Sequence, residues 1–241
     1  MNTKPTKPYR LAELKKKYAE EEMISIAELT NILQKITYGK AWVELQTKQA
    51  RALIVLYYLT ACRVSEIVKV KYLRKYQTIT DTYTGNKKQI VKEKVKHEYL
   101  GVCKNDISFN EVDGKKVMYV RTENRKNKER KTKKQPIPIE KESSLCNFLI
   151  EYLNSLKEDQ PLFKFGVKRA TQIINDTLGF NVHFIRHIRA THLVVLYDFN
   201  EQHLIKFMGW TDARPAKHYM EINKKDLFRQ FYKNDWRKQN V

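Results

Sequence analysis

No stretch of this 241-residue sequence stays apolar for long. Its longest run, Ala52-Leu53-Ile54-Val55-Leu56-Tyr57-Tyr58-Leu59, falls far short of the roughly 20 residues that span a bilayer, so neither a transmembrane helix nor a membrane partner is expected. The first ten residues carry two lysines and two prolines but no apolar segment, and nothing in them reads as a secretory signal. Cysteine is scarce. Cys62, Cys103 and Cys146 are odd in number, form no Cys-x-x-Cys pair and have no histidine at ligand spacing, which argues against a disulfide frame and a zinc site. Internal repeats are absent, as are low-complexity tracts beyond lysine-rich stretches. Acidic residues are the minority: 27 Asp and Glu stand against 47 Lys and Arg, for a formal net charge of +20.

What is present is the material of a basic globular protein of intracellular type. Hydrophobic residues make up 41% and aromatics 11%, enough for a core, and the length suits one large domain with at most a small appendage. The partner that such a charge fits is a polyanion, above all nucleic acid. A basic surface also serves solubility alone, so the placement of the charge decides more than its total.

Along the chain, residues 1–22 combine Lys4, Lys7, Arg10 and Lys15-Lys16-Lys17 with few core formers and read as a basic arm. Ser25 with Glu28 makes a capping box, and Leu29, Ile32, Leu33 and Ile36 continue a helical stripe. A second helix is expected from about Leu45 to Leu59, inside the fold because it is apolar on most sides, and a third after Cys62-Arg63-Val64. The period then changes. Short β-like pieces around Gln77 to Tyr83, Ile107 to Phe109, Val117 to Thr122 and Gln135 to Ile139 predict a small antiparallel sheet of three strands. The stretch from Arg74 to Leu100 is rich in lysine and is not assigned. From Lys115 to Lys134 there are ten basic and two acidic residues, so a net +8 sits on one hairpin, as in a probe for a groove or for phosphates. Helices return at Leu145 to Leu156, Val167 to Leu178 and His183 to Tyr197; Asn200 caps another through Met208, and Pro215 starts a short one carrying Tyr219. Leu227, Phe228, Phe231 and Tyr232 form a last apolar stripe, in a segment from Lys224 to Trp236.

Four pieces draw attention together: Arg63, the lysine-rich hairpin, His183-Phe184-Ile185-Arg186-His187, and Gly209-Trp210 followed nine residues later by Tyr219. Each alone has a plain structural use. An arginine between apolar helices is commonly half of a buried ion pair, here with Glu66, and a lone tyrosine near a helix end is commonly packing.

As a set they resemble the tyrosine recombinases, the phage-integrase family. Leu59-Thr60-Ala61-Cys62-Arg63-Val64-Ser65-Glu66-Ile67 resembles the family's first arginine box. His183 to Leu193 resembles the second, with its His-x-x-Arg-His core followed by Ala190-Thr191-His192. Phe207-Met208-Gly209-Trp210 stands where the family has Leu-Gly-His, and His218-Tyr219 where it has the nucleophile. The resemblance implies an α+β fold, a mostly helical catalytic domain with a small three-stranded antiparallel sheet, the DNA breaking-rejoining fold. It would occupy residues 23–236, followed by a tail at 237–241.

The resemblance also implies a site-specific recombinase or integrase that cuts and rejoins DNA through a covalent 3′-phosphotyrosyl intermediate, with no metal, ATP or other cofactor. Arg63, Arg186 and His183 would bind the nonbridging oxygens of the scissile phosphate, where the planar, permanently charged guanidinium suits the charge that builds on phosphorus. Tyr219 would be the nucleophile, and a hairpin lysine the general acid for the departing 5′-oxygen, Lys126 first and Lys128 second. Trp210 can donate one hydrogen bond from its indole but cannot shuttle a proton, which fits a structural and electrostatic role. Glu66 would orient the cluster, and His187 would either support the reacting groups from one layer out or serve packing. Arg121, Arg125, Lys128, Arg130 and Lys131 would contact DNA.

The expected partners are double-stranded DNA and further copies of the chain, as a homotetramer on DNA, in the cytoplasm of a prokaryotic host, encoded by a virus or plasmid. A core-binding domain ahead of the first arginine box is expected from the family and is not seen in this sequence. Two other readings use the same residues: a type IB-like topoisomerase, which rejoins the same strand, and a catalytically idle DNA-binding regulator.

Overall fold

Ser25 opens the fold as its sequence implies. Its side chain accepts a hydrogen bond from the Glu28 backbone at 3.1 Å, and helix α1 (Ile26–Gln34) buries Leu29 and Leu33. The structure, a computed structural model, describes residues 24–36, 43–80, 84–123, 132–157, 160–179 and 181–220. The basic arm, the segment from Lys224 to Trp236 and the tail lie outside these residues.

Helix α2 (Val43–Thr60) is the axis of the molecule. Residues 52 to 60 are buried on every side, as a sequence apolar all round requires. Each fully buried Leu, Ile or Val there contributes about 1.5–3 kcal/mol from its removal from water. Against it pack α4 (Ser143–Asn154), through Leu145, Leu149, Tyr152 and Leu153, and α6 (Val182–Val195), with α5 (Val167–Leu178) alongside. Between α2 and α4 lie a one-turn helix, α3 (Val64–Ile67), and all the strands. Two short helices, α7 (Glu201–Met208) and α8 (Arg214–Met220), finish the described chain.

The three-stranded sheet is present, in the order β3 (Ile107–Val112), β4 (Lys115–Glu123), β5 (Thr132–Pro138), antiparallel throughout. Met118, Val120, Thr122, Gln135 and Ile137 face inward. The piece around Gln77 belongs elsewhere. It lies in β1 (Val70–Thr80), which pairs antiparallel with β2 (Lys87–Tyr99) as a separate two-stranded ribbon. The unassigned lysine-rich stretch is therefore mostly strand. Gln77, Thr78, Ile79 and Thr80 are all exposed, so neither face is buried over these four residues and no apolar alternation marks them in the sequence.

A buried polar cluster ties the layers together. The Arg189 guanidinium lies 2.5 Å from Glu142 Oε1, both side chains being almost wholly enclosed, and the Tyr197 hydroxyl donates to the same oxygen at 2.7 Å. Arg189 also lies over the Tyr58 ring, 5.0 Å from its centroid. Tyr58 in turn shares a 2.6 Å hydrogen bond with His192 Nδ1. This links α6, α2 and the turn before α4.

Candidate active site

The chain leaves α2 through Ala61, whose φ of +47° is rare for a residue with a side chain. That turn sets Arg63 at the start of α3. The Arg63 backbone N–H donates to Glu66 Oε2 at 3.1 Å and its guanidinium to Glu66 Oε1 at 2.8 Å. Glu66 is fully buried. Burial alone would push its carboxyl up, but the Lys133 ammonium and the Arg63 backbone and guanidinium outweigh this and hold it below the ordinary carboxylate value.

Lys133 comes from β5. In the β4–β5 register Thr122 opposes Lys133, on the inward face, and its Nζ lies 3.4 Å from Glu66 Oε2. Two residues on, Gln135 fastens three segments. Its side-chain amide donates to the Thr60 carbonyl and, at 2.9 Å, to the Phe207 carbonyl, while its oxygen accepts from the Cys62 thiol at 3.3 Å. One buried side chain thus holds the end of α2, the approach to Arg63 and the end of α7 in fixed relation.

Asn181 caps α6 by accepting from the Phe184 backbone at 3.0 Å, which places His183 in the first turn, exposed, and Arg186 one turn later on the same side. Arg186 is buried. Its Nη2 donates to the Met208 carbonyl at 3.3 Å, while Nη1 is enclosed and has no hydrogen-bond partner among the described residues. Burial, followed by the nearby Arg63 charge, lowers its pKa, with Glu66 acting against both.

Helix α7 ends at Gly209, whose φ of +67° is a left-handed cap that few other residues adopt. The turn returns the Trp210 N–H to the Ile205 carbonyl at 3.1 Å. Trp210 then stacks on Tyr219, with ring centroids 5.8 Å apart and planes 13° from parallel. Tyr219 sits in the last turn of α8, and its hydroxyl is hydrogen-bonded to His187 Nδ1. Burial raises the Tyr219 phenol to about 12, with Arg186 pulling the other way.

Arg63, Glu66, Arg186, His187, Trp210 and Tyr219 therefore gather around one locus, with His183 at the open end of the same helix. His187, expected as a supporting or packing residue, lies against the tyrosine. Arg121 faces outward on β4, ion-paired with Asp106 at 2.7 Å, opposite in sense to the inward Thr122. Arg125, Lys126, Lys128, Arg130 and Lys131 lie outside the described residues. Lys133 and Gln135 were not singled out from sequence. Their inward facing depends on strand register, which the buried Ile137 two residues on would have indicated. Among the described residues no group of His, Cys, Asp or Glu is arranged to hold a metal ion, and no helix is long and apolar enough to cross a membrane.

No protein-family model matches the chain, and no curated protein matches it. Among solved structures it is similar to the XerH site-specific recombinase bound to difH substrate in a pre-cleavage complex. The TM-score is 0.49 at 15% identity, over 86% of this chain and 51% of that one. It is similar also to XerH in a post-cleavage complex with palindromic difH, at a TM-score of 0.47 and 16% identity, covering 96% and 54% of the two chains. The Tn1549 transposon integrase with transposon right end DNA gives 0.43 at 14%, covering 88% and 65%. The chain thus spans about half the length of the XerH chains it matches.

Proposed function

We propose that this chain is the catalytic domain of a tyrosine recombinase, acting on double-stranded DNA as a homotetramer. The observation that carries this reading is Arg186: a buried guanidinium with an enclosed N–H that has no partner among the described residues, next to Arg63 and close enough to Tyr219 to act on its charge. A buried donor left unpaired costs about 1–3 kcal/mol, more when charged, and an anion entering the site relieves that cost. Arg63, Arg186 and Lys133 against the single carboxylate of Glu66 leave an excess of positive charge, suited to a phosphodiester and to the further negative charge of its transition state.

In the reaction, the Tyr219 oxygen forms a bond to phosphorus while the bond from phosphorus to the 5′-oxygen breaks. A phenol raised to about 12 is ionised only to about one part in 10⁵ at pH 7, so it needs a base. His187 Nδ1 takes that proton. Trp210 holds the ring by stacking. Arg63, Arg186 and His183 bind the nonbridging oxygens, and Lys126 or Lys128 delivers a proton to the departing 5′-oxygen. The phosphotyrosyl ester keeps the bond energy, so the reverse attack by a 5′-hydroxyl reseals DNA without ATP.

A duplex nicked just beyond the cleavage position, so that the short fragment bearing the freed 5′-hydroxyl diffuses away, traps the adduct. The expected result is a denaturant-resistant protein–DNA species, absent in Tyr219→Phe, together with strand transfer to a second duplex. Relaxation of supercoiled DNA without recombinant product would assign the same chemistry to a type IB-like topoisomerase. Tight duplex binding with no adduct from the wild-type chain would make it an idle DNA-binding regulator.

A further inference from the structure

The β1–β2 ribbon has no task in the site just described. Its strands pair from Val70 with Tyr99 out to Thr80 with Lys87, and among the described residues no third strand joins them. An isolated two-stranded ribbon is at best marginally stable and gains little by itself. Eleven residues at about 3.3 Å each give a reach of about 35 Å, close to one turn of B-form DNA, and a ribbon of this width is one of the elements that a major groove admits. Its two strands hold eight basic residues, Lys71, Arg74, Lys75, Lys87, Lys88, Lys92, Lys94 and Lys96, against Glu93 and Glu98. Lys71, Lys87, Lys94 and Lys96 are exposed.

The root of the ribbon is fixed to the site. The Tyr99 hydroxyl donates to the Glu66 carbonyl at 2.8 Å, and the Val102 N–H to the Ile67 carbonyl at 2.9 Å. Gly101 lets the strand pass this close: with a φ of +90°, a Cβ there would lie 2.5 Å from the Ile67 carbonyl oxygen. The ribbon therefore springs from the same turn that carries Arg63 and Glu66.

We propose that the β1–β2 ribbon is a second duplex-binding arm, which grips DNA through its lysines while its root on α3 keeps that grip in register with Arg63. The proposal rests on the DNA-processing reading for its partner. Charge favours DNA over another copy of the chain, because a surface with net +6 meets a chain of net +20 with repulsion and a polyanion with attraction.

The test compares the whole chain with the triple variant Lys87→Gln, Lys94→Gln, Lys96→Gln and with a charge-matched control, Lys157→Gln, Lys164→Gln, Lys168→Gln, drawn from exposed positions in the helical part. Affinity for a duplex of about 40 bp, some four helical turns, is measured by fluorescence anisotropy across a salt series. The expected result is a slope of log affinity against log salt shallower by about 2 to 3 in the ribbon variant, and an affinity at least about tenfold lower near 0.1 M salt. The control shows less than a third of that change. An unchanged slope in the ribbon variant overturns the proposal, as does an equal change in both variants. A ribbon variant that alters only the oligomeric state in sedimentation makes the ribbon an interface between copies, and also overturns it. The wild-type chain on the nicked duplex tests the recombinase reading separately: failure to form the adduct there, with the ribbon effect intact, leaves the arm standing and removes the chemistry.

Discussion

Lys133 Nζ lies 3.4 Å from Glu66 Oε2, while the other oxygen of that carboxylate holds the Arg63 guanidinium at 2.8 Å. One buried carboxylate therefore fixes two cations contributed by elements distant in sequence. Lys133→Ala leaves Arg63 as the remaining ion-pair partner of Glu66 among the described residues and draws the guanidinium away from an incoming phosphate. The expected outcome is a tenfold to hundredfold slower adduct formation, or about 1.4–2.7 kcal/mol in the barrier, at a duplex affinity altered by less than about threefold. Lys133→Arg recovers most of the rate. Single-turnover trapping on the nicked duplex, beside equilibrium binding, separates the two quantities.

His187 is expected to act as the base for Tyr219. His187→Ala slows adduct formation by about 10²–10⁴-fold, and added imidazole restores part of the rate. His187→Asn keeps a hydrogen bond to the hydroxyl and remains slow. An Ala variant that forms the adduct at the wild-type rate assigns the proton elsewhere.

Gln135 joins the Thr60 and Phe207 carbonyls. Gln135→Leu leaves both carbonyls without their donor at about 1–3 kcal/mol each. The expected effect is a lower thermal midpoint together with a loss of cleavage greater than the loss of duplex binding, because Arg63 and Trp210 no longer share a fixed support. Differential scanning fluorimetry and the trapping assay measure the two.

Glu142 and Arg189 form a pair enclosed on all sides. Removing one charge strands the other, so Glu142→Leu destabilises by about 3–5 kcal/mol. The double variant Glu142→Leu, Arg189→Met recovers most of that loss, since two apolar side chains replace two buried ions. Urea unfolding of the three proteins provides the comparison.

His192 confers acid sensitivity. Burial, then the Arg189 charge, push its pKa from 6.5 down to about 4, against a hydrogen bond to the Ile24 backbone. The unfolded chain then binds a proton at this residue below about 6.5 while the folded chain does not. Stability present at pH 7 is lost as the pH falls from 6.5 towards 4, by up to about 3 kcal/mol from this group, and is flat above 6.5. In His192→Asn that slope is reduced. Thermal midpoints between pH 4 and pH 8 read it directly. The Glu66 contribution lies lower, in the carboxylate range, because its pKa is depressed.

Short-range chemistry wrote much of this protein into its sequence. Ser25, Asn181 and Asn200 cap the helices they precede, since a cap needs only a side-chain oxygen and a backbone N–H three residues on. The three-residue step from His183 to Arg186 and the glycine before Trp210 likewise show in the sequence, because both follow from local helix geometry. The pattern of buried residues along α2 is equally local, as its apolar run leaves no polar face. Tertiary structure decided the rest. Lys133 and Gln135 are two among many polar residues near the hairpin until the register of β4 with β5 turns them inward. Along Gln77 to Thr80 the ribbon shows no apolar alternation because the side chains on both faces there meet water. Arg186, Arg63 and Tyr219 come together only because α6 packs on α2, α3 follows directly from the end of α2, and α8 packs on α6 and α7, and the proximity of residues more than a hundred positions apart is set by how those helices fill space.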